Sequence, residues 1–89
     1  MFYVYILESE KNDSWYIGTT NDLKQRFKEH NQGLNLSTKR YTPWSLIYYE
    51  ACCNESDAVR REKWLKSTHG RRMIKARIRE YLYEKRRKI

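Results

Sequence analysis

Residues 2–19 read FYVYILESEKNDSWYIGT, and this stretch decides the fold. Two runs of aromatic and β-branched side chains, at 2–7 and 15–19, enclose a segment at 8–14 that is rich in turn formers. Such runs are typical of strands, because these side chains pack well on a pleated surface. The stretch therefore predicts an antiparallel hairpin with a long loop.

A helix is predicted directly after the hairpin. Asn21 or Asp22 can accept hydrogen bonds from the free amides that begin a helix over 23–31. Gly33 suits the left-handed position just past its end. The polar residues 34–42 show no periodicity, so they predict a loop.

A third strand and a second helix are predicted next. Pro43 precedes a strand over 44–51, and proline suits a strand's first position because it gives up a ladder donor there. Asn54, with Asp57 three residues further on, resembles a capping box with shorter side chains. It opens a helix over 55–67.

The chain then closes with one more helix. Gly70 is expected to end the second helix, and an amphipathic helix follows over 71–84. Its apolar stripe consists of Ile74, Ile78, Tyr81 and Leu82. The order β-β-α-β-α-α predicts an α+β fold in which about three helices flank a three-stranded antiparallel sheet. We expect a single domain over 1–84 and a basic C-terminal tail over 85–89.

The net charge of +8 is concentrated at one end of the chain. Residues 1–56 carry 6 Lys and Arg against 7 Asp and Glu, a net of −1. Residues 57–89 carry 13 against 4, a net of +9. Such a cationic field favours polyanions such as nucleic acid or an anionic membrane surface. The alternative is a solvated helical face kept basic for solubility, but the segregation exceeds what solubility needs.

The compartment follows from cysteine usage and hydropathy. Cys52 and Cys53 are adjacent, and a bridge between neighbours would be strained and would close almost no loop. We interpret them as reduced thiols of a reducing compartment. The N-terminus has no basic region ahead of an apolar run, and no stretch of about 18 apolar residues occurs. We expect a soluble, cytoplasmic protein with no membrane partner.

One carboxylate stands out on the second helix. Four positions fall within about a third of its circumference: Ala58, Val59, Glu62 and Leu65. Burying an unpaired charge costs several kcal/mol, so Glu62 should meet a cation, a metal ion or a strong donor. The helical geometry leaves two alternatives open: a metal or catalytic role, or an internal ion pair with Arg26 or near Arg61.

Arg26 and His30 lie one turn apart on the first helix, beside the stripe formed by Leu23 and Phe27. Arginine suits phosphate because its planar fork makes paired donor contacts and keeps its charge. A lone arginine near a histidine is nevertheless more often a surface residue. His30 could be a general base, a positioning donor or a residue at the rim of the core.

The strand tyrosines have two interpretations as well. Tyr3 and Tyr5 share one face of their strand, and Tyr16 faces away from its own strand neighbours. Such tyrosines most often pack with the hydroxyl at the rim. To act as a base, a tyrosine must lose its proton from a pKa of about 10, which requires a nearby cation. Arg26 or a metal-bound water would serve.

Taken together, the order and spacing of these residues resemble the GIY-YIG nuclease family over most of the chain. YVY at 3–5 and YIG at 16–18 stand at its two signature runs, and RFKEH at 26–30 resembles the following helix. AVRREKWLK at 58–66 looks like the helix that carries the family's metal-binding glutamate. TKRYTPW at 38–44 points to the small single-domain bacterial branch.

The resemblance implies a divalent-metal-dependent endonuclease. One Mg²⁺ or Mn²⁺ ion would be bound through Glu62. Tyr16 would deprotonate or orient the attacking water, and Tyr5 would help to position the water or the phosphate. Arg26 would stabilise the pentacovalent phosphate, and His30 would support the base or bind phosphate.

The resemblance also implies a partner, DNA or RNA, and leaves open a targeting protein and the oligomeric state. Tyr3 departs from the pattern, because it replaces the first glycine of the family signature. Gly18 would let the backbone turn before the helix. The basic side chains expected to contact nucleic acid are Lys39, Arg40, Lys63, Lys66, Arg71 and Arg72.

Overall fold

The computed structural model describes residues 1–87, which form an α+β fold with a three-stranded antiparallel sheet. The strands are β1 (Phe2–Ser9), β2 (Trp15–Thr20) and β3 (Trp44–Cys52). The predicted hairpin is confirmed, since β1 pairs antiparallel with β2. β1 also pairs antiparallel with β3, so the order β2-β1-β3 places it in the centre.

Four α-helices accompany the sheet, one more than the sequence predicts. They are α1 (Leu23–Asn31), α2 (Glu55–Leu65), α3 (Thr68–Arg77) and α4 (Arg79–Arg87), and a short 3-10 helix covers Lys39–Tyr41. None of these helices within residues 1–87 is long and apolar enough to cross a membrane.

The local signals at the helix ends are confirmed. Oδ1 of Asp22 accepts a hydrogen bond from the amide of Gln25 at 3.1 Å, which caps α1. Gly33 follows α1 with a φ of +75°, a left-handed conformation that glycine adopts without strain. Asn54 caps α2 by accepting hydrogen bonds from the amides of Ser56 and Asp57.

The prediction for Gly70 is wrong. α2 ends at Leu65, and Ser67 caps α3 by accepting a hydrogen bond from the amide of Gly70 at 3.2 Å. Gly70 thus lies inside the first turn of α3. A Cβ atom there would come within 2.0 Å of the carbonyl oxygen of Trp64. Gly70 therefore lets two consecutive helices approach closely and does not end a helix.

The single final helix predicted over 71–84 is also wrong. It is interrupted at Ile78, whose φ of −111° and ψ of 31° lie outside the helical range. The bend sends α4 back towards the β1–β2 hairpin. Lys85 belongs to α4 and not to a separate tail, while Lys88 and Ile89 lie outside the described residues.

Glu8 anchors α4 to the hairpin. It belongs to β1 and is 5% exposed, although the sequence placed it in a loop. Its carboxylate accepts hydrogen bonds from Trp15 Nε1 at 2.9 Å, Tyr81 Oη at 2.6 Å and Lys85 Nζ at 2.7 Å. Burial raises the pKa of Glu8, but these three donors outweigh it and hold the pKa below its usual range.

The two faces of the sheet bury separate clusters. Val4 and Ile6 pack on the side of α2 and α3, with Ala58, Leu65 and Ile74. Tyr5 and Leu7 point the other way and pack with Trp44, Tyr16 and the α1 residues Leu23 and Phe27. The alternation along β1 therefore gives the α1 face the tyrosines that the sequence singled out.

Candidate active site

Tyr5 and Tyr16 meet above Gly18. Gly18 lies opposite Tyr5 in the β1–β2 ladder, and the two tyrosine ring centroids are 6.2 Å apart. A Cβ atom on Gly18 would lie 2.7 Å from Tyr5 Oη and 3.0 Å from Tyr16 Cε2. The expected role of Gly18 in a turn is wrong, because it sits inside β2. It provides the space in which the two rings converge.

Beneath Tyr16, a buried hydrogen-bonded chain links Tyr5, His30 and Thr38. Tyr5 Oη lies 2.8 Å from His30 Nε2, and His30 Nδ1 lies 2.7 Å from Thr38 Oγ1. All three residues are completely buried. The interpretation of His30 as a rim residue is therefore wrong, and both of its ring nitrogens are already engaged.

The hydrogen bonds are consistent with one direction of donation along this chain. Thr38 Oγ1 can donate to the carbonyl oxygen of Asn35, 3.4 Å away. His30 Nδ1–H then donates to Thr38, and Nε2 accepts from the hydroxyl of Tyr5. Burial lowers the pKa of His30, and the charge of Arg26 lowers it further. The imidazole is thus held neutral, as an acceptor for Tyr5.

Tyr5 keeps its proton at neutral pH. Burial raises the pKa of Tyr5 well above its usual value, and the neighbouring Tyr16 and the charge of Glu62 raise it further. Arg26 opposes this shift but does not reverse it. Tyr5 therefore cannot serve as a base. Its hydroxyl is suited to holding neighbouring groups in place.

Tyr16 differs from Tyr5 because it is only partly buried. Its ring centroid lies 4.9 Å from that of His30 and 6.5 Å from that of Trp44, so it packs against both. The strand alternation predicted that Tyr16 faces away from Trp15 and Ile17, and the structure places it with Tyr5 on the α1 face. Tyr16 is the tyrosine of this pair that solvent can reach.

Arg26 lies at the edge of the same neighbourhood. Its side chain is 40% exposed, and its Nε is 3.4 Å from Oε1 of Glu29, a loose surface pair that contributes little to stability. It lines a recess of about 200 Å³ where β1, β2, α1 and α2 converge. The other residues of this recess are Phe2, Thr19, Thr20, Asn21, Glu55 and Ala58.

Glu62 is mostly shielded, with 19% of its side chain exposed, and Lys66 Nζ contacts its Oε2 at 2.5 Å. The expectation that Glu62 meets a cation is confirmed, but neither Arg26 nor the surroundings of Arg61 supply that cation. Arg61 binds Glu50 with two hydrogen bonds of 2.9 and 3.0 Å. The stripe around Glu62 is only partly buried, because Val59 is 38% exposed.

Among residues 1–87, no cluster of three or more His, Cys, Asp or Glu side chains can hold a metal ion. A single carboxylate nevertheless fits Mg²⁺ chemically. Mg²⁺ keeps several of its waters and is commonly bound through one or two carboxylates together with substrate phosphates. The charge of Glu62 contributes to the raised pKa of Tyr5, which makes Glu62 the candidate carboxylate for such an ion.

The structure does not bring together the six basic residues expected to contact nucleic acid. Lys39 and Arg40 lie on the 3-10 helix that follows Thr38, on the α1 side of the sheet. Lys63 lies on α2 and Lys66 directly follows it, whereas Arg71 and Arg72 lie on α3; these two helices cover the opposite face. All six are exposed. A polyanion that contacted both Lys39 and Arg40 on one side and the basic residues of α2 and α3 on the other would have to pass around an edge of the sheet.

Thr38 is the residue of the site that the sequence did not predict. It lies in the segment expected to be a structureless loop, yet it bonds His30 through its hydroxyl. Its carbonyl oxygen accepts a hydrogen bond from Trp44 Nε1 at 3.0 Å. A threonine in a polar segment carries no signal of such a partner. The tryptophan that opens β3 was the available hint, since a buried indole needs an acceptor.

Comparisons with known proteins find relatives of this chain. The family model described as the GIY-YIG catalytic domain matches residues 1–77. UPF0213 protein CPE1444 of Clostridium perfringens is 42% identical over 67 residues, which cover 74% of this chain and 71% of that protein. UPF0213 protein SH2523 of Staphylococcus haemolyticus is 35% identical over 74 residues, which cover 82% and 89%.

A solved structure is similar in fold and in sequence. It is the solution NMR structure of the UPF0213 protein BH0048 from Bacillus halodurans. Its TM-score is 0.53 and its sequence identity is 32%, and the match covers 85% of this chain and 84% of that one. The likeness thus extends over most of both molecules.

Proposed function

The chain belongs to the GIY-YIG catalytic-domain family, and from this premise we propose that it is a divalent-metal-dependent endonuclease that hydrolyses phosphodiester bonds in DNA. One observation carries the proposal. A solvent-accessible tyrosine, Tyr16, packs against a neutral, fully bonded pair of Tyr5 and His30, within the electrostatic reach of Arg26 and Glu62. Hydrolysis of a phosphodiester requires a base, a cation and a carboxylate, and this arrangement offers each of them.

In this proposal Tyr16 orients the attacking water or takes its proton. It is the less buried of the two tyrosines, so it is the one open to solvent. Arg26 binds a non-bridging oxygen of the phosphate and stabilises the charge that develops there. Its weak contact with Glu29 leaves the guanidinium available for this task.

Tyr5, His30 and Thr38 act as positioning residues. Since all three are buried and bonded to one another, they hold the ring of Tyr16 in place from below. Residues that lock the geometry of a reacting group contribute to rate without contacting substrate. In this role His30 does not bind phosphate.

Glu62 would hold one Mg²⁺ or Mn²⁺ ion. When bound, such an ion polarises phosphate oxygens and lowers the pKa of its water. The chain's own contribution is to present a shielded carboxylate near the site. The ammonium group of Lys66 occupies that carboxylate in the absence of the ion.

The test is a metal titration of DNA nicking by the wild-type protein beside Tyr16→Phe and Glu62→Gln. Removal of a base is expected to lower kcat roughly 10²- to 10⁴-fold, so Tyr16→Phe should lose most of its turnover. Glu62→Gln should lose its response to added Mg²⁺ or Mn²⁺. Equal, metal-independent cleavage by all three proteins across single-stranded, branched and duplex DNA would refute the catalytic proposal.

Two control variants separate chemistry from structure. Lys66→Gln breaks the same ion pair as Glu62→Gln but leaves the carboxylate, so its cleavage should still respond to added Mg²⁺ or Mn²⁺, even where the lost charge weakens DNA binding. Tyr83→Phe removes the hydroxyl of a tyrosine that is 63% exposed on α4, away from the site. Loss of the metal response in Lys66→Gln as well as in Glu62→Gln would assign Glu62 a structural role.

A non-catalytic nucleic-acid-binding module is the second candidate. The observation that favours it is the Glu62–Lys66 ion pair, which satisfies the carboxylate without any metal ion. In that case the exposed basic residues of α2 and α3 would bind the polyanion without a metal ion. DNA binding by both wild type and Glu62→Gln, with no metal-dependent nicking by either, would select this function.

A further inference from the structure

A shallow groove lies beside the candidate site on the α1 face of the sheet. Its volume is about 520 Å³, and its main lining residues are Tyr3, Leu23, Lys24, Phe27, Leu46 and Tyr49. Tyr49 is 54% exposed, although it lies in the middle of β3. Large aromatic side chains left open in such a groove are available to a ligand.

The two tyrosines of this groove are arranged as adjoining walls. Their ring centroids are 6.0 Å apart and their planes make an angle of 63°. Tyr49 is the β3 partner of Tyr5, so it shares the face of the candidate site. Tyr3 precedes Tyr5 by two residues, about 7 Å along a strand. The residue that departs from the family signature thus supplies one of the two walls.

The groove adjoins the recess of Arg26. Asn21 lines both of them, at the point where β2 passes into α1. Lys24 adds a positive charge to the rim of the groove. The acidic residue on the rim, Asp22, uses its carboxylate to cap α1. An aromatic wall therefore adjoins a polar passage in which the cations Lys24 and Arg26 lie among the carboxylates Asp22 and Glu55. A ring face beside cationic groups is suited to a base together with its phosphate.

We propose that the Tyr3–Tyr49 groove binds an unpaired nucleobase of the DNA strand whose phosphate lies at Arg26. This inference rests on the proposed function and names the structural class of its substrate. A base within a duplex is already stacked on both faces and cannot enter the groove without being extruded. The groove thus selects single-stranded or branched DNA over blunt duplex.

The first test measures binding by fluorescence anisotropy, with EDTA present to prevent hydrolysis. The probes are a single-stranded oligonucleotide, an abasic oligonucleotide of the same length and charge, and a blunt duplex. Stacking of a base on an aromatic side chain predicts affinity for the first probe that is roughly 5- to 100-fold higher than for the abasic strand. Equal affinity for the two strands would overturn the inference.

The second test asks whether Tyr49 is responsible. Tyr49→Leu keeps an apolar side chain but removes the ring, so it should bind the single strand as weakly as the abasic strand. Tyr49→Trp keeps an aromatic face and should restore binding. Tyr83→Leu, an equally drastic change at an exposed tyrosine of α4, should leave the preference intact. An equal preference in Tyr49→Leu and wild type would overturn the inference.

These outcomes distinguish the two levels of the proposal. Metal-dependent nicking that is indifferent to base content and to Tyr49→Leu would leave the nuclease function standing and remove the base-binding groove. Absence of binding to every probe in EDTA, together with absence of nicking in Mg²⁺ or Mn²⁺, would overturn both.

Discussion

Gly18 shows how one missing side chain shapes the site. Tyr5 and Tyr16 converge over it, and Tyr5 is completely buried and bonded to His30. A methyl group at this position would meet a ring that has no free space in which to retreat. The signature glycine is therefore required by packing between side chains and not by a special backbone conformation.

Gly18→Ala should lower the free energy of unfolding by about 1–3 kcal/mol, the usual cost of overpacking a core. Urea unfolding of the variant and the wild type measures this difference in the free energy of unfolding. In a Tyr5→Phe background the same substitution should cost less, because the hydroxyl 2.7 Å from the new methyl group is gone. Strict additivity of the two substitutions would contradict this explanation.

His30 makes stability depend on pH. Its pKa is lowered in the folded protein, so below the unfolded value of about 6.5 the unfolded chain binds a proton that the folded chain does not. The contribution of His30 is fully present above pH 6.5 and is lost as the pH falls through the folded pKa. The free energy of unfolding should therefore decline by up to about 1.4 kcal/mol per pH unit below 6.5.

Urea unfolding between pH 8 and 5 checks this dependence. The chain has two histidines, and His69 is exposed, so His69→Gln provides a matched control. The decline should persist in His69→Gln and flatten in His30→Gln. The opposite pattern would show that the buried imidazole is not its source.

At the scale of elements, the sequence correctly predicted those helix ends that depend on residues close by in the chain. The bounds of α1 follow from Asp22 and Gly33, two signals that act within one turn of the helix. The same kind of signal gave a wrong prediction at Gly70, which was expected to end a helix. There the close contact with the Trp64 carbonyl oxygen requires a glycine inside a helix. A glycine required by close packing and a glycine that ends a helix look alike in a sequence.

In the candidate site, too, features that depend on local patterns were predicted and contacts between distant residues were missed. Strand alternation and helix spacing drew attention to Tyr5, Tyr16 and Arg26, and the resemblance to the GIY-YIG family implied their roles. The structure places the three residues in one neighbourhood. The link from His30 to Thr38 was missed because no local pattern relates a helix residue to a threonine in a loop. The burial of Glu8 was missed because its donors Tyr81 and Lys85 lie 73 and 77 positions away.

Glu8→Gln should loosen α4 from the hairpin. The substitution removes the charge that Lys85 and Tyr81 bind, and an imperfectly paired buried group typically costs about 1–3 kcal/mol. Hydrogen exchange should show loss of protection at the amides of α4, while those of β1 and β3 stay protected.

The pH dependence of the same variant provides a second check. The folded pKa of Glu8 is lowered, so its contribution is present above about pH 4.5 and is lost as the pH falls through the folded pKa. The stabilities of wild type and Glu8→Gln should therefore converge in acid. Glu84→Gln, at an exposed carboxylate of α4, should match the wild type throughout.

At the scale of the whole molecule, most of the positive charge and the tyrosines of the candidate site lie on different sides of the sheet. Residues 57–87 carry 12 Lys and Arg against 4 Asp and Glu, and this excess lies on α2, α3, α4 and the connecting residue Lys66. The tyrosines of the site lie on the α1 side. DNA held by this field would be bound mainly through its phosphates, without regard to sequence. Selectivity would then depend on the α1 face.

Binding should therefore weaken steeply with salt. Arg71→Gln and Arg72→Gln should each reduce the slope of log K against log salt by about 1 if each arginine neutralises a phosphate. Arg60→Gln is a suitable comparison, since Arg60 already pairs with Asp57 at 2.8 Å. A flat salt response of the wild-type protein would remove the electrostatic basis of DNA binding.

The central position of β1 sets an order for assembly. β1 and β2 are joined by the short segment 10–14, whereas β3 must close the much longer segment 21–43 before it can pair with β1. Shorter loops cost less entropy to close, so we expect the hairpin to form first, with Tyr5 and Tyr16 already side by side. Thr38, which bonds His30, is in turn held by Trp44 at the start of β3, so this part of the site is complete only with the third strand. The newly made chain thus holds half of its site early and completes it with its slowest contacts.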